Sequence, residues 1–586
     1  MTIIAGAYSR IAGVPLPHAL CSELFPAVSR EPGRARQVFR SPRCVVAKVD
    51  VGAYGVSAFQ AHPGESVATL AGEALLGASR GRPRRTRADD LGLMHDLWKA
   101  GRGPVQLDCR GSFCAALYDA AGDRLVLTTD KLGMRPMYYW ADDRFVVFGS
   151  ALRILEAISI VPKSMDLRAV TEIASIGFPL GDRTAFTGIR TVQPGEGVEF
   201  SGSRTTRASY WQWDRLPAAR LDENELAREA AERFCDAVAR RLGGDSTTTA
   251  LLSGGLDSRS IVAVLRQAGA RVHTVTFSSF SGLLDPLLAR NFADRAGTMH
   301  QEVSVDPTAE TWYSQVLLQR PWTTAPAWHQ YPPERPLAVW AGNGGSVGVG
   351  HLLMTDAICE HMRKGRREAA IRTYLDDEGA RVLTYVLQRR VAAFASAVLV
   401  EGSAAELDAI GGDDPARAFH LFLMLNEQRR DFVKHYEDLD LHHIELLTPF
   451  FDSSFLEVVF AAPLDLCLRH AFYMKWLAHL PTVATGVAWQ AYPGHAPCPL
   501  PLPEHLCDQW HPRWQGWSAR RERRALLRRA RQLLDADDFP DALLRRQRLR
   551  VAYYAYRAGL QDYGYLVRFA DTFYQYWTRC GGRVSA

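Results

Sequence analysis

The chain has 586 residues, 47% hydrophobic and 23% charged, with a formal net charge of +5. That length exceeds what one hydrophobic core organises, so at least two domains are expected, and no apolar run reaches the ~18–20 residues that span a bilayer. The mild charge argues against nucleic-acid binding, the ten cysteines without a Cys-x-x-Cys pair against a disulfide framework or zinc site, and the start Met-Thr-Ile-Ile-Ala-Gly against a signal peptide, so a cytoplasmic location is expected.

Residues 1–205 read as short β runs joined by Gly, Pro and Asp turns, with one helix after Asp89-Asp90. Phe113–Tyr118, Arg124–Thr129 and Arg144–Phe148 alternate or run apolar, separated by Asp119-Ala-Ala-Gly-Asp and Ala141-Asp-Asp turns. From about residue 222 long helical periods interleave with short apolar strands, the pattern of a parallel α/β sheet. Thr247–Leu251, Arg271–Phe277 and Leu337–Trp340 are its strands, each ending where a ligand lies beyond the carboxyl edge. From about 352 onward the chain reads as mostly helical.

Two basic runs near the end, Ala519–Arg531 and Arg545–Arg550, carry leucines at helical spacing. They predict amphipathic helices with solvated arginines, or a docking face for an acidic peptide or carrier.

The most informative stretch is Thr247–Ser258, Thr-Thr-Thr-Ala-Leu-Leu-Ser-Gly-Gly-Leu-Asp-Ser. A β-branched strand, a Gly-Gly turn and a helix start leave the backbone of Ser253, Gly254 and Gly255 open, so successive N–H groups form an anion nest beside a helix dipole. Asp257 adds a carboxylate, which suits a magnesium ion bridging protein and phosphates. No Walker pattern, Gly-x-x-x-x-Gly-Lys-Ser/Thr, is present at this turn.

This loop resembles the pyrophosphatase loop of the asparagine synthetase family. Other stretches match the family in its order. They are Leu107–Asp119 with Cys114 in an alanine place, Thr129–Tyr138, Phe148–Ser150, Val192–Gly195 and Ser209–Trp211. Further on come Asp285–Glu302, matched to a family helix through Ala289, Ala293, Gly297 and His300, and Thr448–Asp452. The resemblance spans roughly 100 to 490. It implies an N-terminal-nucleophile-like (αββα) α+β domain over 1–205, a doubly wound α/β ATP-pyrophosphatase domain with a helical C-terminal part over 206–500, and a basic helical extension over 501–586.

Where the family carries a nucleophilic cysteine exposed by loss of the initiator methionine, this chain has Thr2, and Ala71 falls where an asparagine amide stabilises the oxyanion. An amino-terminal threonine can still serve as nucleophile. Losing one oxyanion donor, however, typically costs ~100–1,000-fold in rate, so the domain is expected to be an inactive glutaminase. Family members with this loss, such as β-lactam synthetase and lasso-peptide macrolactam synthetases, take the attacking nitrogen from the substrate.

The family's second glycine loop is here Ala341–His351, with Ser346 at the acidic, magnesium-holding place. The family's charge-stabilising lysine is replaced by Gln490, and His351, His495 or Lys475 stand as substitutes.

The resemblance thus implies an ATP- and Mg2+-dependent, AMP-forming ligase that adenylates a carboxylate and forms an amide, lactam or macrolactam. Leu252, Ser253, Gly254, Gly255, Asp257, Ser258, Phe277, Gly342 and Gly344 are expected at ATP, Asp257 at the metal, and Asp257, His351 and His495 in catalysis. The substrate is a small molecule or peptide, with a precursor peptide, protease or carrier as partner. A working glutamine-dependent amidotransferase using Thr2 and a non-catalytic nucleotide-binding protein are the alternatives.

Overall fold

The computed structural model describes residues 2–31, 33–34, 36–77, 85–101, 108–278, 283–305 and 312–585, with backbone only over 312–315 and 512–521. Leu107 therefore lies outside the described residues. Two compact units emerge, the first made of 1–158, 192–353 and 431–514, the second of 159–191, 354–430 and 515–586. Their limits cut across the boundaries at 205 and 500, because each unit gathers segments distant in sequence.

The first unit begins with two antiparallel sheets. One runs in the order Tyr138–Ala141, Phe145–Gly149, Thr2–Ser9, Cys44–Asp50, Gln37–Arg40. The other runs Arg204–Ser209, Glu196–Ser201, Arg124–Thr129, Phe113–Asp119, Ser66–Gly72, Phe59–His62. Alternation along the strands sends Ile4, Tyr8, Val46 and Phe148 of the first sheet against Val67, Ala116, Leu125 and Val198 of the second, a shared core. The helix Arg87–Lys99 covers the outer face of the second sheet, burying Leu91, Met94 and Trp98 on Leu70, Phe113 and Leu117. Thr86 and Asp89 close its start as a reciprocal capping box. His18–Val28 packs on the first sheet, which completes the αββα order.

The helices His18–Val28 and Leu152–Ala157 were not legible beside the single helix expected in this half. The first carries Pro26 inside it, a residue that reads as a breaker.

The same unit holds a parallel sheet ordered Met299–Ser304, Arg271–Ser278, Thr247–Leu251, Ala338–Trp340, Glu445–Leu447. From Thr247–Leu251 the chain builds outward on one side and then returns to the other, so the strand order reverses beside Thr247–Leu251. Two expectations are corrected here. The helix matched over Asp285–Glu302 ends at Ala296, where Gly297 (φ +66°) turns the chain left-handed, and Met299–Ser304 is a strand. Glu445–Leu447, placed by sequence in a helical region, is the fifth strand, three residues long and paired with Ala338–Trp340.

The second unit is mainly helical. Gly564–Arg579 packs on Leu167–Ile176, and Asp356–Arg363 on Arg367–Asp377 and Pro415–Phe422. Met165–Asp166 pairs in parallel with Val584–Ser585. The basic runs form the helices Pro512–Leu534 and Arg546–Ala558. Several of their arginines are engaged locally, Arg529 with Asp571 at 2.6 Å and Arg546 with Asp541 at 3.2 Å. Among the described residues no helix is long and apolar enough to cross a membrane.

Candidate active site at the carboxyl edge of the parallel sheet

The strand Thr247–Leu251 ends in the glycine loop, and the helix after it begins at Leu256. Its N-cap, Gly255, supplies no side chain to the first turn, so the positive end of a twelve-residue helix faces the turn without a capping group. The loop is braced from within. Ser253 N–H donates to Ser258 Oγ at 2.9 Å, the two hydroxyls lie 3.1 Å apart, and Gly255 N–H donates to Ser253 Oγ at 3.3 Å. Gly254 N–H donates to Asp285 Oδ1 at 2.9 Å, and a Cβ at Gly254 would lie 2.9 Å from the Asp285 carbonyl oxygen.

Fully buried Arg259, one turn into the helix, clamps the loop to the chain near Gln490. Its guanidinium donates to the carbonyls of Gly255 at 2.9 Å, Gly254 at 3.2 Å, Val487 at 2.6 Å and Ala488 at 2.9 Å. Burial pushes its pKa down to about 10, which still leaves it charged at neutral pH.

Asp257 is held at both oxygens. Oδ2 accepts from Ser346 Oγ at 2.7 Å and Ser346 N–H at 3.1 Å, while Oδ1 accepts from Tyr473 Oη at 2.7 Å. Burial raises its pKa, opposed by the bonds from Ser346 and Tyr473. Gly345 must be glycine, since a Cβ there would stand 2.2 Å from Asp257 Oδ1. Asp285 is likewise raised by burial and opposed by the Gly254 N–H.

A cavity of about 340 Å³ opens over the loop. Ser253, Gly255, Asp257, Phe277 and His495 line it, as do Asp285, Ser346, His470, Gln490, Tyr492 and Trp510. Leu252, Gly254 and Ser258 lie beneath this lining and shape the turn. Gly342 and Gly344 are not among the lining residues: Gly342 packs under Ser258 N–H, and Gly344 (φ +89°) packs against the Phe451 ring. Nor does His351 reach the cavity; it is fully buried with Nδ1 at 2.9 Å from the Val349 carbonyl. Lys475 forms an ion pair with Glu223 at 2.5 Å and does not line the cavity either.

His470, Tyr473 and Asp285 take part in the site although sequence reasoning gave them no role in it. Asp285 was visible as the first residue of a matched motif. His470 carried no signal: Arg469 and His470 are consecutive residues in the left-handed region (φ +55° and +63°), which no spacing rule anticipates.

Among the described residues no three His, Cys, Asp or Glu side chains cluster as a metal site. Asp257 and Asp285 are the carboxylates of the cavity. Such a set, completed by water and phosphate oxygens, suits magnesium rather than a metal caged wholly by protein. The N–H groups of Ser253, Gly254 and Gly255, expected to be open, are instead spent within the loop and on Asp285, so it is the uncapped helix end beginning at Leu256 that suits a polyphosphate.

In the antiparallel half, Thr2 is buried. Its hydroxyl donates to Asp50 Oδ2 at 3.3 Å and accepts from Arg87 at 3.0 Å. Burial raises Asp50, but Lys48 and Arg87 outweigh it and hold the carboxyl well below the usual range. Ala71, the penultimate residue of the strand Ser66–Gly72, stands opposite Cys114, its methyl packed in the core between the sheets.

Two sequence families match the chain, a glutamine amidotransferase domain over residues 75–211 and asparagine synthase over 229–316. Both matches are of the kind that the resemblance to the asparagine synthetase family implies. The chain is 25% identical over 236 residues to amidase chry2 of Gibberella zeae, covering 36% of this chain and 35% of that one. It is 28% identical over 179 residues to the glutamine-hydrolyzing asparagine synthetase 3 of Bacillus subtilis, covering 29% of each. It is 26% identical over 200 residues to carboxyethyl-arginine beta-lactam-synthase of Streptomyces clavuligerus, covering 32% of this chain and 34% of that one. The chain thus spans about a third of the length of these curated relatives.

Proposed function

We propose that this asparagine synthetase-like chain is an ATP-dependent ligase that activates a carboxylate as its acyl-AMP, releases pyrophosphate and passes the acyl group to an amine. The observation that carries the reading is the uncapped helix end at Gly255, set beside Asp257 at the point where the sheet reverses its strand order. The uncapped first turn of the helix beginning at Leu256, set against the Ser253–Gly255 turn, receives the β- and γ-phosphates. The substrate carboxylate attacks the α-phosphorus in line, and the charge that develops on the departing pyrophosphate meets fixed N–H dipoles. Magnesium, held by Asp257 with Asp285 near, would neutralise charge on the phosphate oxygens. Tyr473 and Ser346 keep the Asp257 carboxylate aimed by occupying one oxygen each.

The amine comes from the substrate itself, which makes a lactam or a peptide macrolactam the favoured product. What supports this is the antiparallel half: the Thr2 hydroxyl is tied into the Asp50–Arg87 pair, and Ala71 offers no donor for an oxyanion. A β-lactam synthase stands among the relatives. A peptide or carrier partner is compatible with the arginines of the second unit.

The test is pyrophosphate release from ATP and Mg2+ with a panel of amino-acid, peptide and carboxyalkyl amino-acid carboxylates. Stoichiometric AMP, pyrophosphate and amide are expected, with glutamine neither required nor hydrolysed. ATP binding without turnover for any carboxylate assigns the chain to nucleotide binding alone. Glutaminase activity lost in Thr2→Ala assigns it to the amidotransferases.

A further inference from the structure

The place of the family's lysine is filled by Gln490, and the structure gives that side chain an unusual condition. Gln490 is 6% exposed, its backbone N–H donates to the Gly254 carbonyl at 2.9 Å, and it lines the cavity. The backbone bond itself is a direct tie between the lysine position and the phosphate loop. Yet its side-chain Oε1 makes no hydrogen bond among the described residues. A buried carbonyl oxygen without a donor costs about 1–3 kcal/mol, so its persistence at a cavity wall points to a donor supplied by a ligand.

A second acceptor lines the same cavity. His470 Nδ1 and His495 Nδ1 lie 2.8 Å apart, so one must carry the shared proton and the other must accept it. His470 is buried at 5% exposure, its ring stacked on Tyr492 (centroids 5.7 Å apart, 22° between planes), with Nε2 lying against Gly350. A Cβ at Gly350 would come within 2.3 Å of that nitrogen, so the glycine is what admits the ring. If His495 donates through Nδ1, its Nε2 is a bare acceptor, and no hydrogen bond occupies that nitrogen among the described residues. His470 then carries its own proton on Nε2 and holds the tautomer of His495, as the third member of a nucleophile–base–orienter set does. Burial keeps both rings below their ordinary pKa, His470 at about 4, so both are neutral acceptors at pH 7.

Among the described residues that line the cavity there is neither lysine nor arginine. The wall therefore offers acceptors to a hydrogen-bond donor, where the family's lysine would offer a cation to an anion.

We infer that Gln490 Oε1 and His495 Nε2 form the subsite for the attacking amine, with His470 as the positioning residue for His495. The inference rests on the ligase reading above. A neutral primary amine or ammonia donates one N–H to Gln490 and a second to His495, which aims its lone pair at the acyl carbon of the acyl-AMP. The C–N bond forms as the C–O bond to phosphate breaks. AMP leaves with the electron pair, and the amine proton passes to His495 Nε2. Replacing the lysine by glutamine thus exchanges stabilisation of the departing charge for alignment and deprotonation of the nucleophile.

The experiment compares wild-type protein with Gln490→Met, His495→Gln and His470→Asn, using the carboxylate panel above and two probes in place of the natural amine, methylamine and hydroxylamine. Hydroxylamine attacks acyl-AMP without a base. The expected result is that all three variants keep ATP–pyrophosphate exchange and hydroxamate formation within about threefold of wild type. Methylamide formation falls about 100-fold or more in His495→Gln and at least tenfold in the other two, the range for loss of a positioned general base. Variants that form methylamide at the wild-type rate, or that lose exchange and hydroxamate in parallel with it, overturn the subsite. Failure of the wild-type protein itself to exchange pyrophosphate with any carboxylate overturns the ligase reading, a different and separable result.

Discussion

The Tyr473 hydroxyl donates to Asp257 Oδ1 at 2.7 Å while Ser346 holds Oδ2 at the same distance, so the carboxylate beside the glycine loop is fixed in one orientation before any ligand arrives. A hydrogen bond to a charged group contributes about 1.5–3 kcal/mol, or roughly 10–100-fold in an equilibrium or rate. Tyr473→Phe is therefore expected to lower pyrophosphate release about tenfold. Asp257→Asn, which removes the charge itself, is expected to lower it at least about 100-fold. Steady-state release with saturating ATP checks both; an Asp257→Asn protein at wild-type speed removes the carboxylate from the mechanism.

Gly345 and Gly255 separate packing from ligand approach. A Cβ at Gly345 meets the Asp257 carboxylate at 2.2 Å, whereas one at Gly255 meets only Ser253 Oγ at 3.5 Å and projects toward the cavity. Gly345→Ala should cost both thermal stability and ATP affinity. Gly255→Ala should leave the melting temperature within about 1 °C, because surface changes without strain stay near zero, and still weaken ATP binding at least about tenfold. Calorimetric titration with ATP and Mg2+, paired with thermal melts, distinguishes the two.

Arg135 and Glu445 form an ion pair inside the first unit, their side chains 4% and 0% exposed, and Tyr54 adds a hydrogen bond to Glu445 at 3.2 Å. Arg135→Met strands a buried carboxylate and should destabilise the unit by about 3–5 kcal/mol, while Arg135→Met with Glu445→Leu should regain much of that loss. Urea denaturation followed by tryptophan fluorescence measures the difference.

Acid should unfold the first unit earlier than its carboxylates alone would dictate. His442 and His470 are buried neutral, each with its pKa pushed from 6.5 down to about 4 by burial. Between those values the unfolded chain binds protons that the folded chain refuses, so stability is complete above about pH 6.5 and falls as pH drops toward 4. Each histidine contributes about 3 kcal/mol over that window. Denaturation midpoints at pH 7.5, 6 and 5 record the slope, and His442→Leu should flatten it.

The parallel half was legible wherever a residue's job depends on its neighbours in sequence. Ser253, Gly255 and Asp257 lie within one turn, and their spacing alone placed them together. Gly342, Gly344 and His351 show the limit of that logic. The second glycine loop does reach the site, but through Gly345 and Ser346 pressing on Asp257, while Gly342 and Gly344 serve packing behind it. Chemistry that depends on distant segments was invisible: Tyr473 lies 216 residues from Asp257, and His470 meets His495 only because two residues take left-handed backbone angles. The strand Glu445–Leu447 was hidden for a similar reason. Three residues carry no period, and their strand character is supplied by the neighbour Ala338–Trp340.

The second unit is assembled from three stretches of chain, and its first helix, Leu167–Ile176, waits for Gly564–Arg579, while Met165–Asp166 waits for Val584–Ser585. On the ribosome, roughly four hundred residues must be synthesised between the two partners, which at ~5–20 residues per second is a delay of about 20–80 seconds. During that interval the face of the early helix that packs on Gly564–Arg579 has no native cover. Production of this protein should accordingly respond to co-expressed holdase chaperones, and slowing translation should lower its soluble yield.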